Sequence, residues 1–83
     1  MVEERIYVVP LRRAKLAARY KRTPRAVRIL REFIARHMKS ENVKIDAALN
    51  QHLWERGAKK PPSRVRVKAV KQDDGTVVVS LAE

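Results

Sequence analysis

Cysteine is absent from this 83-residue chain, which excludes disulfides and cysteine-ligated zinc. The two histidines, His37 and His52, are too few to build a zinc site without several carboxylates beside them. Only two glycines occur, Gly57 and Gly75, so there is no glycine-rich phosphate loop. Aromatics are equally sparse: Tyr7, Tyr20, Phe33 and Trp54 do not make the aromatic-rich sheet that reads single strands. Neither paired carboxylates nor a Ser/His/Asp set is present, so no catalytic residue, metal or cofactor is assigned and an enzyme is not expected. Long apolar runs are missing too. The longest near the start, Ile6 to Val9, falls far short of the ~20 residues of a membrane span, and Glu3 and Glu4 precede it, unlike a signal peptide. An untargeted, soluble, cytoplasmic protein is expected.

What the chain has is positive charge. Twenty lysines and arginines face nine acids, for a net charge of +11. Apolar residues still make up 45%, enough for a modest core, so this is no disordered basic tail. An unneutralised +11 works against a compact state by self-repulsion. A polyanionic partner follows, bound by one small domain spanning residues 1–83.

The pattern predicts an α+β domain. Residues 3–10 are rich in β-branched and aromatic residues and read as a strand closed by Pro10. Residues 11–22 read as a basic loop with some helical turn. Thr23-Pro24 predicts a helix start, with Thr23 as N-cap, and the helix runs over 24–39. Ala26, Val27, Leu30, Phe33, Ile34, His37 and Met38 share its apolar face. Val43-Lys44-Ile45 has the composition of a short strand. Asp46 is placed to cap a second helix over 47–56, stopped by Gly57, with Leu49, Leu53 and Trp54 as its inward stripe. Over 64–71, Arg64, Arg66 and Lys68 alternate with Val65, Val67 and Ala69, the period of a strand. Gln72-Asp73-Asp74-Gly75 turns the chain into a partner strand over 76–82. The expected sheet has three strands, mostly antiparallel, packed on the long helix.

Charge is not evenly spread. Nine basic residues and no acid lie between Arg12 and Arg31; seven more, again with no acid, lie between Arg56 and Lys71. The first block violates local helix physics: Lys21, Arg22, Arg25 and Arg28 crowd a helix N-terminus, which favours acids. That arrangement suits a bound anion, held by guanidinium groups and free backbone N–H groups; the bland alternative is a set of solvated charges. In the second block, Arg64, Arg66 and Lys68 project from one side of a strand about 7 Å apart, close to the phosphate spacing of a nucleic-acid strand. The bland alternative there is protection of a sheet edge. Lys59-Lys60-Pro61-Pro62 precedes the row as a stiff extended arm. Arginine outnumbers lysine, which favours structured RNA, because guanidinium chelates phosphate and stacks on bases. Tyr20, inside the basic loop, is the aromatic best placed for stacking. The predicted RNA-binding set is therefore Arg12, Arg13, Lys15, Arg19, Tyr20, Lys21, Arg22, Arg25 and Arg28 in one patch, with Lys59, Lys60, Arg64, Arg66 and Lys68 in a second. Two other classes fit the charge alone: a DNA-binding architectural protein, and a basic adaptor for acidic protein partners.

Several motifs occur in one order: Arg5-Ile6-Tyr7-Val8-Val9-Pro10-Leu11-Arg12, the run from Thr23 to Lys39, Val43-Lys44-Ile45-Asp46, Leu49-Asn50, Trp54-Glu55-Arg56-Gly57 and Pro61-Pro62-Ser63-Arg64-Val65-Arg66-Val67. Together they resemble the e-type large-subunit ribosomal protein thirty-one family of archaea and eukaryotes, from about Glu4 to Leu81. Ala47, where relatives commonly carry proline, and Ala58, where a larger apolar residue is usual, depart from it without touching the basic blocks. The short chain is similar to the archaeal form. The resemblance implies a small α+β domain on large-subunit ribosomal RNA, near the exit of the nascent-peptide tunnel. Neighbouring ribosomal proteins would be its partners, with chaperones or targeting factors docking at the rim.

Overall fold

Alternating and helical periodicities resolve into β1 (Glu3–Pro10), two 3-10 turns (Arg12–Leu16 and Arg19–Lys21), α1 (Arg22–Met38), β2 (Val43–Ile45), α2 (Ala47–Trp54), β3 (Arg64–Lys71) and β4 (Val77–Leu81). These come from a computed structural model that describes residues 3–82; residues 1, 2 and 83 of the expected domain lie outside that range. The α+β class holds, and the basic loop does carry helical turns.

The sheet has four strands, not three, in the order β1-β3-β4-β2. β3 and β4 form the central hairpin, and β1 pairs antiparallel with β3 from Glu3↔Lys71 to Pro10↔Arg64. The missing strand is β2, which runs parallel to β4. Three residues are too few to display a period of two, so its pairing is set by tertiary contacts. The Val77 N–H donates to the Asn42 carbonyl at 2.9 Å, and the Asp46 N–H to the Val79 carbonyl at 2.8 Å.

One face of the sheet is covered by the helices. Val9, Val65, Val67, Ala69, Val77 and Val79 meet Ala26, Leu30, Ile34 and Met38 of α1 and Leu49 and Leu53 of α2 in a single buried cluster. Burying each of the larger side chains contributes about 1.5–3 kcal/mol. Tyr7 packs edge-to-face on Phe33 at 5.8 Å, and its hydroxyl donates to the Met38 sulfur at 3.3 Å. His37 is exposed rather than core; its ring stacks on Phe33 at 4.0 Å, and its Nδ1 lies 2.8 Å from the Phe33 carbonyl. The other sheet face is open: Ile6 and Val8 are each more than half exposed beside Arg66 and Lys68.

Helix ends differ from expectation in instructive ways. α1 starts at Arg22, and Lys21 precedes it with no side-chain cap. Thr23, expected as the cap, is fully buried inside the first turn. Its hydroxyl donates to the Gly57 carbonyl at 2.7 Å and its N–H to the Ala58 carbonyl at 2.9 Å. A tertiary tie has displaced the local capping role. Pro24 sits within the first turn, where its missing N–H is harmless. α2 is capped as predicted, the Asp46 carboxylate accepting from the Ala48 N–H at 3.2 Å, but it stops at Trp54, which is exposed at the helix end and does not join Leu49 and Leu53 in the core. Gly57, at φ +78°, ends the turn that follows, its N–H bonded to the Trp54 carbonyl.

The hairpin loop is a type I-like turn, closed by the Gly75 N–H on the Gln72 carbonyl at 3.0 Å. Gly75 takes the left-handed position at φ +90°. Thr76, placed in the returning strand by the sequence, lies just before it, and its N–H donates to the Asp74 carboxylate at 2.9 Å. Hydrogen bonds from Thr76 hold the Asp74 carboxyl below its ordinary pKa.

α1 ends at Met38, followed by Lys39 at φ 53°, a left-handed conformation that a side chain resists and glycine accepts. The Ser40 N–H closes back on the Ala35 carbonyl there. Lys39→Gly is expected to raise stability by roughly 0.5–1 kcal/mol. A urea midpoint equal to or below that of the parent would contradict the assignment of strain at this residue.

Candidate nucleic-acid interface

The two acid-free segments are far apart in sequence but joined in space. The Leu11 N–H donates to the Ser63 carbonyl at 2.8 Å, binding the chain just before Arg12 to the residue just before Arg64. Thr23 makes the second tie, to Gly57 and Ala58, just before Lys59 and Lys60. Segment 11–23 and segment 57–63 are thus held together at both ends. Arg12 and Arg64 line one surface hollow with Val8, Pro10 and Ser63. The two predicted patches meet in one basic surface there.

The first segment owes its exposure to its composition. Leu11 and Ala14 are fully buried and pin the first 3-10 turn to the body. Arg12, Arg13 and Lys15 are thrown outward, and Arg19, Tyr20, Lys21, Arg25 and Arg28 are exposed as well. Tyr20 is 65% exposed, which leaves its ring accessible for stacking on the face opposite the Lys21 ammonium, 5.6 Å from the ring centre. Arg22 is the exception: it is half-buried, and its Nε–H is shielded without an acceptor among the described residues.

The expected ring of free backbone donors at the start of α1 is not there. The Arg22 N–H is bonded to the Arg19 carbonyl, the Thr23 N–H to Ala58, and Pro24 has none. Any anion at this end is held by side chains and the helix dipole alone.

In the second segment the alternation holds: Arg64 and Arg66 are exposed while Val65, Val67 and Ala69 are buried. Lys59 and Lys60 are exposed, but the stretch is no free arm, because Pro61 is buried and anchors it to the body. Lys60 shares a hollow with His52, Glu55, Arg56 and Pro62. Lys68 is the weakest member of the set, since its ammonium is 3.1 Å from the Glu4 carboxylate across the sheet. Arg28 is also partly satisfied, by Glu32 one turn on at 3.2 Å. Among the described residues, no other cation of the predicted set lies within 4.0 Å of a carboxylate. Sequence reasoning missed the Glu4–Lys68 pair, which depends on strand register. It also missed Leu16, 87% exposed amid the cations. The available signal was a leucine in a basic loop whose neighbours three and four positions away are Arg12, Arg13, Arg19 and Tyr20.

Arg13, Lys21, Arg25 and Arg28 surround a hollow of about 490 Å³ between the first 3-10 turn and α1, with Leu16, Ala17 and Pro24 completing its lining. Chemically, this surface offers bidentate phosphate ligands on a rigid scaffold and one exposed phenol ring. Among the described residues, no group of His, Asp and Glu is placed to hold a metal.

Comparison with known proteins agrees with the motif order. The sequence pattern of the family "Ribosomal protein L31e" matches residues 2–75. The "Large ribosomal subunit protein eL31" of Methanopyrus kandleri is 61% identical over 83 residues, covering all of this chain and 96% of the relative. The protein of the same name from Methanothermobacter thermautotrophicus is 55% identical over 80 residues, covering 96% of this chain and 99% of the relative. That of Methanocaldococcus jannaschii is 55% identical over 84 residues, covering 100% and 95%. With the family pattern covering most of the chain and these identities running over nearly its whole length, the chain belongs to the ribosomal protein L31e family.

Proposed function

We propose that this chain is a structural, non-catalytic component of the large ribosomal subunit in the cytoplasm. It binds ribosomal RNA as a single domain through Arg12, Arg13, Lys15, Arg19, Tyr20, Lys21, Arg22, Arg25, Arg28, Lys59, Lys60, Arg64, Arg66 and Lys68. The observation that carries the reading is the joining of two acid-free segments into one basic surface by the Leu11–Ser63 and Thr23–Gly57/Ala58 ties. Their role is to neutralise phosphates and to fix the protein on a folded RNA by shape, with the 2′-hydroxyl available as a further contact. Arg12 and Arg64 beside one tie, and Lys59 and Lys60 beside the other, give the domain two places to hold the RNA backbone. The resemblance supports a place near the tunnel exit, among other ribosomal proteins and within reach of chaperones or targeting factors.

The test is the salt dependence of binding to a large-subunit ribosomal RNA transcript. About six phosphate contacts give a log–log slope of about −4 to −5. A slope near zero would refute phosphate clamping. Duplex DNA competing equally at the same salt would favour an architectural DNA protein, and an acidic protein partner retained after nuclease treatment would favour an adaptor.

A further inference from the structure

Leu16 is the most exposed large apolar residue among those described, at 87%, and it sits in the most cationic part of the surface. With Ala17 and Pro24 it supplies the apolar lining of a surface hollow whose cationic lining is Arg13, Lys21, Arg25 and Arg28. A duplex offers such a place phosphates and ribose edges, with the faces of its bases stacked out of reach of a leucine and a proline ring. An acidic peptide brings the charge but no flat apolar body. A nucleotide turned out of its helix has both: an anion on one side, and a base whose two faces lie well on aliphatic surface or under a guanidinium plane. The volume, about 490 Å³, is in the range of small-ligand sites.

We infer that this hollow is the seat of a single unstacked nucleotide of the bound RNA, its base against Leu16, Ala17 and Pro24 and its phosphate at Arg25 and Arg28. The inference rests on the RNA-binding reading above and adds to it a contact with a base. Phosphate contact alone is indifferent to the neutral part of the lining. Changing that part without changing charge therefore separates the two ideas.

The experiment uses the full-length protein and a large-subunit ribosomal RNA transcript. Leu16→Ser and Ala17→Phe change no charge, and both are read for affinity, salt slope and thermal unfolding. Each is expected to bind about tenfold more weakly with an unchanged slope and an unchanged unfolding temperature. Short-wave ultraviolet irradiation of the parent complex is expected to join a base to the segment 16–24, as read by mass spectrometry. Parent-like affinity in both variants, or crosslinks only elsewhere, overturns the nucleotide seat while steep salt dependence leaves the RNA reading standing. A neighbouring ribosomal protein found crosslinked to the hollow in assembled subunits overturns it equally. Absence of salt-dependent binding by the parent fails the RNA reading itself. Should a variant unfold, the crosslink on the parent protein decides.

Discussion

Arg25→Glu combined with Arg28→Glu is expected to weaken RNA binding about a hundredfold and to block incorporation into the large subunit, with the fold intact. By counterion release, each neutralised phosphate contributes about 0.7 of a decade in affinity at ~0.1 M salt, so two lost contacts account for roughly 25-fold. Reversing the charges adds repulsion on top. Helix stability is not the cause, because both side chains are exposed. Glutamate in the opening turns of α1 suits the dipole better than arginine does. The local cost is the loss of the Arg28–Glu32 pair and the like-charge i,i+4 contact that replaces it, each a few tenths of a kcal/mol. Circular dichroism checks the fold, and co-sedimentation through a high-salt gradient checks assembly. Normal incorporation of the double variant would remove the start of α1 from the interface.

The second large effect is on the scaffold. Leu30 is fully buried at the middle of α1, against the sheet. Leu30→Ala is expected to destabilise the free protein by about 2–5 kcal/mol, a large part of the 5–15 kcal/mol typical of a domain. A chain of +11 has little margin to lose, since its own charges repel one another. RNA present at ~100 times its dissociation constant returns about 2.7 kcal/mol. Urea unfolding with and without the transcript reads both quantities. A loss under ~1 kcal/mol would mean that Leu30 does not hold α1 to the sheet. A loss that RNA does not restore would separate RNA binding from the folded state.

How much of this was legible in the sequence depended on whether the deciding contact was local. The alternation at Arg64–Lys71, the Asp46 cap and the apolar stripe Ala26–Leu30–Ile34–Met38 are local patterns, and each is found where it was predicted. The short strand β2 was legible from its composition, but its place in the sheet was not, because its three residues carry no period of their own and their partner β4 lies more than 30 positions on. Thr23 was misread for a related reason. Its sequence neighbours say cap, but Gly57 and Ala58 offer its hydroxyl and N–H better partners. Charge clustering identified the basic surface, while the continuity of its two halves came only from backbone hydrogen bonds at Leu11 and Thr23. Lys68 looked equivalent to Arg64 and Arg66 until the register brought Glu4 beside it.

The strand order also sets a timetable. Both outer strands, β1 and β2, precede in the chain the inner hairpin that they flank. During synthesis, therefore, the early strands have nothing to dock on until the hairpin strands emerge, and such long-range pairing is slow. The two halves of the sheet close in order: β1 can pair once β3 is made, whereas β2 waits for β4, and a nascent chain arrested before Val77 carries the β1–β3 pair with one edge of β3 unpartnered.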